Sequence, residues 1–203
     1  MIEQDTELNW YALKVFYNKV FDIEESLEGA LFETYIPVKK VELKGEDFFR
    51  ARRSLALNGP DGANRKYIQE GPRILRRIPV VASLMFVKAG ADDILRIKEQ
   101  IEGKGFVYLS ADRKKPAVIP QKQMAMFRLV ASSGDEDLEF FSEAPMVNFS
   151  QGDKVRVKEG PLKGAEGYIK RIKKDRRLLV AIQGIIAVAT SFIPPALLEK
   201  VEE

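Results

Sequence analysis

The chain has 203 residues, with 33 Lys+Arg against 30 Asp+Glu for a formal net charge of +3, and it contains no cysteine and no histidine. That length holds one large domain or two small ones, and 45% hydrophobic with 31% charged residues is the balance of a globular protein, not a disordered one. The two missing residue types exclude disulfides, thiolate nucleophiles, imidazole or thiolate metal ligands and any triad built on histidine, which turns the reading from catalysis toward binding.

The opening MIEQDTELNWYALKV carries acids where an export signal needs basic residues followed by an apolar stretch. The most apolar run, Leu178–Val188, is interrupted by Gln183 and Gly184 and is too short to span a bilayer. The expected location is cytoplasmic, with no membrane association.

Trp10 to Phe16 (WYALKVF) reads as a strand of bulky and β-branched residues. Asn18 is placed to cap a helix reaching about Glu28, with Val20, Phe21, Ile23, Glu24, Leu27 and Leu31 spaced for one apolar face and Gly29 near its end. LFETYIPVKKVEL reads as a second strand, broken or bulged at Pro37. Residues 43–77 are rich in Gly, Pro and Asn and hold nine Lys/Arg against four Asp/Glu. They read as a long excursion between strands with a hairpin or tip at NGPDGAN.

IPVVASLMFVKA follows as an apolar, central strand. Asp92 or Asp93 then opens a helix, DDILRIKEQIEG, that ends at Gly103. GFVYLSA is a fourth strand, and QKQMAMFRLVA, introduced by Pro120, a third helix. This order, with helices packed on a mixed sheet, gives an α+β sandwich of the ferredoxin-like kind. Five acids between Asp135 and Glu143, with Gly134 and Pro145, mark a linker whose Phe140, Phe141 and Phe149 are able to dock on a domain. These acids oppose residues 50–77 in charge, so they are expected to screen the basic insert in the free protein. Beyond them the pattern is all strand: DKVRVK, GYIKRIK, LLVAIQ and GIIAVATSFI, at the spacing of a small barrel.

The run QGDKVRVKEGPLKGAEGYIKRIKKDRRLLV resembles a KOW motif, carried by Gly152, Asp153, Val155, Val157, Gly160, Pro161, Gly164 and Gly167. Gly160-Pro161 makes a tight reversal, and Val155, Val157, Ile169 and Ile172 are expected to face one core. With WYALKVFYNKVFDIEESLE at the start, IPVVASLMFVKA in the middle and PAVIPQKQMAMFRLV behind, nearly the whole chain resembles the NusG family of transcription elongation factors. The resemblance implies an N-terminal ferredoxin-like α/β sandwich, the NGN domain, over 1–133 with a basic insert at 43–77. An acidic linker over 134–148 and an SH3-like KOW barrel over 149–203 would follow. Three departures are visible. The usual FPGY element is Val80-Val81-Ala82-Ser83-Leu84 here, the insert is longer than a minimal member needs, and no Thr-rich or His-rich loop stands at Ala89–Ile97. They point to a specialised paralogue, RfaH-like or of the UpxY-like kind that serves capsule operons.

What the resemblance implies for function is a monomeric transcription antitermination or elongation factor, not an enzyme, with no cofactor and no metal. Its N-terminal domain would hold the clamp helices of RNA polymerase, and its KOW domain would recruit termination factor Rho or a ribosomal protein. The expected polymerase-binding residues are Trp10, Tyr11, Lys14, Phe16, Leu84, Phe86 and Tyr108, about half of which strand alternation would place in the core. Arg50, Arg52, Arg53, Arg65, Lys66, Arg73, Arg76 and Arg77 of the insert read either as nucleic-acid contacts near the cleft, with Phe48, Phe49 and Tyr67 able to stack on bases, or as a solvated loop. A second basic stretch, Lys170, Arg171, Lys173, Lys174, Arg176 and Arg177, reads first as a turn and a protected strand edge. The alternative function is a ribosome-associated or RNA-binding KOW protein. The carboxylate pairs Glu24/Glu25 and Asp92/Asp93 do not converge on a substrate, because neighbours on a helix diverge.

Overall fold

The computed structural model describes residues 7–58, 65–142, 153–172 and 174–201. It divides into two compact units, one up to Val118 and one from Ile119 onward.

In the first unit, β1 (Asn9–Val15) lies between β6 (Leu84–Ala89) and β7 (Gly105–Val107), and β2 (Glu33–Tyr35) lies outside β6. Every pairing is antiparallel, and the order β2-β6-β1-β7 is the one a ferredoxin-like sandwich requires. Alternation puts Tyr11, Leu13 and Val15 on one face with Met85, Val87 and Ala89. That face shares a core with Val20, Ile23 and Leu27 of α1 (Val20–Gly29) and with Ile94, Ile97 and Ile101 in and beside α3 (Ala91–Gln100). The helices thus cover a single face of the sheet, each buried aliphatic side chain contributing about 1.5–3 kcal/mol of transfer free energy.

Local expectations are corrected in several places. Asn18 does not cap α1. It sits with Tyr17 in a turn with φ of +55° and +56°, and Lys19 precedes the helix. Gly90, not Asp92 or Asp93, is the residue before α3. The chain breaks at Pro37 as expected, but into strands of two different sheets, β2 and β3 (Val38–Glu42). The insert is not an irregular excursion. It opens with a 14-residue helix, α2 (Gly45–Asn58), and closes with the hairpin of β4 (Tyr67–Glu70) and β5 (Arg73–Pro79), turned at Gly71-Pro72. β3, β5 and β4 form a sheet of their own. Ile78 and Pro79 belong to this hairpin rather than to the central strand, which begins only at Leu84. Within the expected tip NGPDGAN, residues 59–64 lie outside the described residues.

The second unit is a six-stranded antiparallel sheet in the order β13-β9-β10-β11-β12-β8. Its strands are β8 (Glu139–Ser142), β9 (Lys154–Val157), β10 (Glu166–Ile172), β11 (Asp175–Ile182), β12 (Ile186–Phe192) and β13 (Leu198–Lys200). Helix α4 (Gln121–Ala131) packs on β11 and β12, and the Gln123 side-chain amide donates to the Ala181 carbonyl at 2.9 Å. By these contacts α4 goes with the second unit, while the sequence reading carries the first domain to 133. The acidic segment is also built in. β8 pairs with β12, bringing Phe140 opposite Val188 and Phe141 opposite Ala187. The Asp135 carboxylate accepts the Ser191 N–H at 2.8 Å, and Arg177 donates to Glu139 at 3.1 Å. Asp135 and Glu139 are thus committed to the second unit and are not free to screen the insert. Phe149 lies outside the described residues.

Candidate functional site

The face of the first sheet opposite the helices collects most of the residues expected to bind polymerase. Trp10, Ala12 and Lys14 stand directly across from Lys88, Phe86 and Leu84, and Lys14 faces Phe106 on its other side. Tyr108 follows Phe106 by two residues and donates its N–H to the Ala12 carbonyl at 2.9 Å. Tyr35 pairs with Phe86, their rings 6.2 Å apart.

Tyr11 is the exception. It belongs to the helix-facing core, where burial first and the neighbouring Glu7 second push its phenol pKa up. Trp10, Leu84 and Phe86 are on the expected face but are closed to solvent, so as they stand they touch no partner directly.

What a partner can reach is the edge at the end of β1. Phe16 is 37% exposed, Tyr17 83% and Phe106 45%. Ring centroids run Tyr17–Phe16 6.2 Å, Phe16–Phe106 6.0 Å and Phe106–Tyr108 5.6 Å, a continuous aromatic row along the sheet margin. The turn that presents Tyr17 is closed by the Lys19 N–H on the Phe16 carbonyl at 3.2 Å, with both central residues left-handed and neither a glycine. Such backbone is costly and persists where the surroundings fix it. Sequence reasoning missed Tyr17 and Phe106. The available signal was Phe106 two positions before Tyr108 in an alternating strand.

The cations of the insert divide into two sets. Arg77 and Arg65 are turned inward onto α1. Arg77 donates through both terminal nitrogens to Glu24, at 2.8 and 2.9 Å, and its guanidinium lies 4.9 Å over the Phe21 ring. Arg65 pairs with Glu28 one turn further along. Burial acts to raise the Glu28 pKa, but hydrogen bonds from Thr34 and Arg65 outweigh it and hold the carboxyl below its usual value. These two arginines are tied into ion pairs on α1, unlike the other cations of the insert expected among the nucleic-acid contacts. Arg50, Arg52, Arg53, Lys66, Arg73 and Arg76 remain exposed.

In the second unit, Val155 and Val157 are buried as expected, while Ile169 and Ile172 are half-buried. Gly160 and Gly164 both have φ of +85°, around Pro161 in the turn that joins β9 to β10. At Gly167 a Cβ would stand 2.4 Å from the Leu179 carbonyl oxygen, so only glycine lets β10 approach β11 this closely. Asp153 pairs with Lys200 at 3.3 Å, whereas Gly152 lies outside the described residues. In the second basic stretch Arg177 is held by Glu139, and Lys173 is outside the described residues.

A family model described as "Transcription termination factor nusG" matches residues 8–128, more than half of the chain. The chain belongs to the NusG family. NusG-family proteins are non-enzymatic transcription factors that generally bind RNA polymerase. No curated protein matches the chain. Among solved structures, "Domain interaction in Thermotoga maritima NusG" is 15% identical with a TM-score of 0.45, over 97% of this chain and 98% of that one. Among the described residues no helix is long and apolar enough to cross a membrane, and no group of three or more Asp/Glu gathers as a metal site.

Proposed function

We propose that this NusG-family chain is a transcription elongation or antitermination factor that binds RNA polymerase through its first unit and recruits a further partner through its KOW segment, without catalysing a reaction. The observation that carries this reading is the family match over 8–128, the stretch that contains the whole ferredoxin-like sheet. On this reading the polymerase clamp helices lie along the aromatic margin of Phe16, Tyr17, Phe106 and Tyr108. Lys14 and the buried Trp10, Leu84 and Phe86 set the shape of the sheet behind it. The factor acts by binding the elongating conformation of polymerase more tightly than the paused one.

Exposed cations of the insert, Arg50, Arg52, Arg53, Lys66, Arg73 and Arg76, would contact nucleic acid near the cleft through its phosphates. Rho or a ribosomal protein is the class of partner proposed for the KOW segment. A cytoplasmic monomer of the specialised, operon-directed type is the form in which this reading expects the protein, since the FPGY element and the polymerase-directed loop both depart from the common pattern.

The test is binding of the full chain to a purified clamp-helix fragment. Saturable binding that Phe106→Ala weakens about tenfold, the loss of one well-packed contact of roughly 1.4 kcal/mol, supports the reading. If the full chain ignores the fragment and instead retains RNA in a salt-dependent way, the RNA-binding KOW reading takes its place.

A further inference from the structure

Helix α2 divides its surface unusually. Toward the protein it turns Phe48, Ala51 and Leu55, of which Ala51 is buried and the other two half-buried, and it lies against β5. These positions follow the spacing of a core-facing stripe. The opposite stripe is not the polar face such a helix normally shows. Phe49 and Leu57 stand on it at i and i+8, 64% and 78% exposed, with Arg53 at i+4 between them and Ala56 beside them. Arg50 and Arg52 flank the stripe. Among the described residues Arg50 pairs with Asp47 alone, 3.7 Å away in the first turn, and Arg52 and Arg53 make no ion pair.

Two large apolar side chains held in water on a formed helix and rimmed by guanidinium groups are the composition of a protein interface, in which aromatic residues and arginine are enriched. Phosphate contact accounts for the arginines, and the Phe49 ring, which meets Phe48 edge-on at 5.6 Å, is able to stack on a base, but neither contact gives Leu57 an apolar surface. The charge of the stripe selects the partner: three arginines need carboxylates around whatever covers the apolar pair.

We infer that the outward face of α2 docks an acidic amphipathic protein helix, its apolar stripe on Phe49, Ala56 and Leu57 and its carboxylates on Arg50, Arg52 and Arg53. This assignment takes Arg50, Arg52 and Arg53 from the nucleic-acid contacts proposed above and leaves phosphate contact by the insert to Lys66, Arg73 and Arg76, at and beside the β4–β5 hairpin; it shares no residue with the aromatic margin of the sheet.

The absence of cysteine makes a direct test available. Glu46→Cys in the full chain, one turn before Phe49 and outside the residues assigned to the contact, gives one attachment point for an environment-sensitive fluorophore. The probe is a synthetic helical peptide with leucine at i, i+3, i+4 and i+7 and glutamate on its flanks. Saturable binding is expected, weakened tenfold or more both by Phe49→Ser with Leu57→Ser and by Arg52→Gln with Arg53→Gln, while circular dichroism is unchanged. The inference is overturned if the peptide fails to bind or binds regardless of these substitutions. It is equally overturned if what the substitutions abolish is binding to a 20-nucleotide single strand or to phosphatidylglycerol vesicles rather than to the peptide.

Discussion

Arg77 of β5 and Glu24 of α1 form a bidentate ion pair, 2.8 and 2.9 Å long, with the two side chains only 15% and 4% exposed. It fastens the insert's hairpin to the first helix of the main sandwich. A guanidinium fork suits this geometry because it meets both carboxylate oxygens at once. Removing one partner leaves a buried charge unpaired, so Arg77→Met is expected to cost about 3–5 kcal/mol in urea unfolding. Replacing both, Glu24→Leu with Arg77→Met, is expected to recover most of that loss. A double variant no more stable than Arg77→Met alone would mean the pair is not what the single change breaks.

Glu28 gives the first unit an acid-sensitive component. Its folded pKa is held below the ordinary value, so its contribution is present above the ordinary carboxylate range and is lost as pH falls through the folded value. Glu28→Gln is therefore expected to lower the urea midpoint at neutral pH, with the gap between variant and parent narrowing as the pH falls below the ordinary carboxylate range. A gap that persists unchanged in acid would assign the effect to packing.

Part of this architecture was legible in the sequence, and the limit is physical. β1, α1 and α4 announce themselves because apolar periodicity and the breakers around them agree, and Pro120 stands immediately before α4 as expected. Helix α2 was hidden by its own chemistry. GEDFFRARRSLALN carries strong helix formers, but its exposed face holds Phe49 and Leu57, so the apolar residues do not sort onto one stripe. Which arginines of the insert are anchors could not be read either. Arg76 and Arg77 are adjacent and chemically identical, and only the strand's alternation turns one outward and the other onto Glu24. The residues expected to face polymerase were assigned to one side of a sheet without their burial, since alternation assigns sides and says nothing of what is covered.

In the second unit the prediction concerns a backbone contact. A methyl group at position 167 would lie 2.4 Å from the Leu179 carbonyl oxygen and 3.0 Å from a Leu178 methyl, so Gly167→Ala forces β10 away from β11. Overpacking of this kind costs about 1–3 kcal/mol. Amide exchange should accelerate in β10 and β11 while β1 and β6 keep their protection, because the latter belong to the other compact unit. Uniform acceleration across both units would show that they unfold as one.

The last prediction separates the two kinds of arginine in the insert. Arg73 and Arg76 are exposed on β5, while Arg65 is tied to Glu28. Binding of the full chain to a single-stranded DNA oligonucleotide is expected to fall linearly with salt on logarithmic axes, each phosphate contact adding about 0.7 to the slope. Arg73→Gln with Arg76→Gln should then flatten the slope by about 1.4, equally for oligonucleotides of different sequence, since phosphate contacts carry no base information. Arg65→Gln should lower the urea midpoint and leave the slope where it was. The opposite pattern, a slope that responds to Arg65 and ignores Arg73 and Arg76, would mean that the ion pairs on α1 open to bind nucleic acid and that the exposed cations serve only solubility.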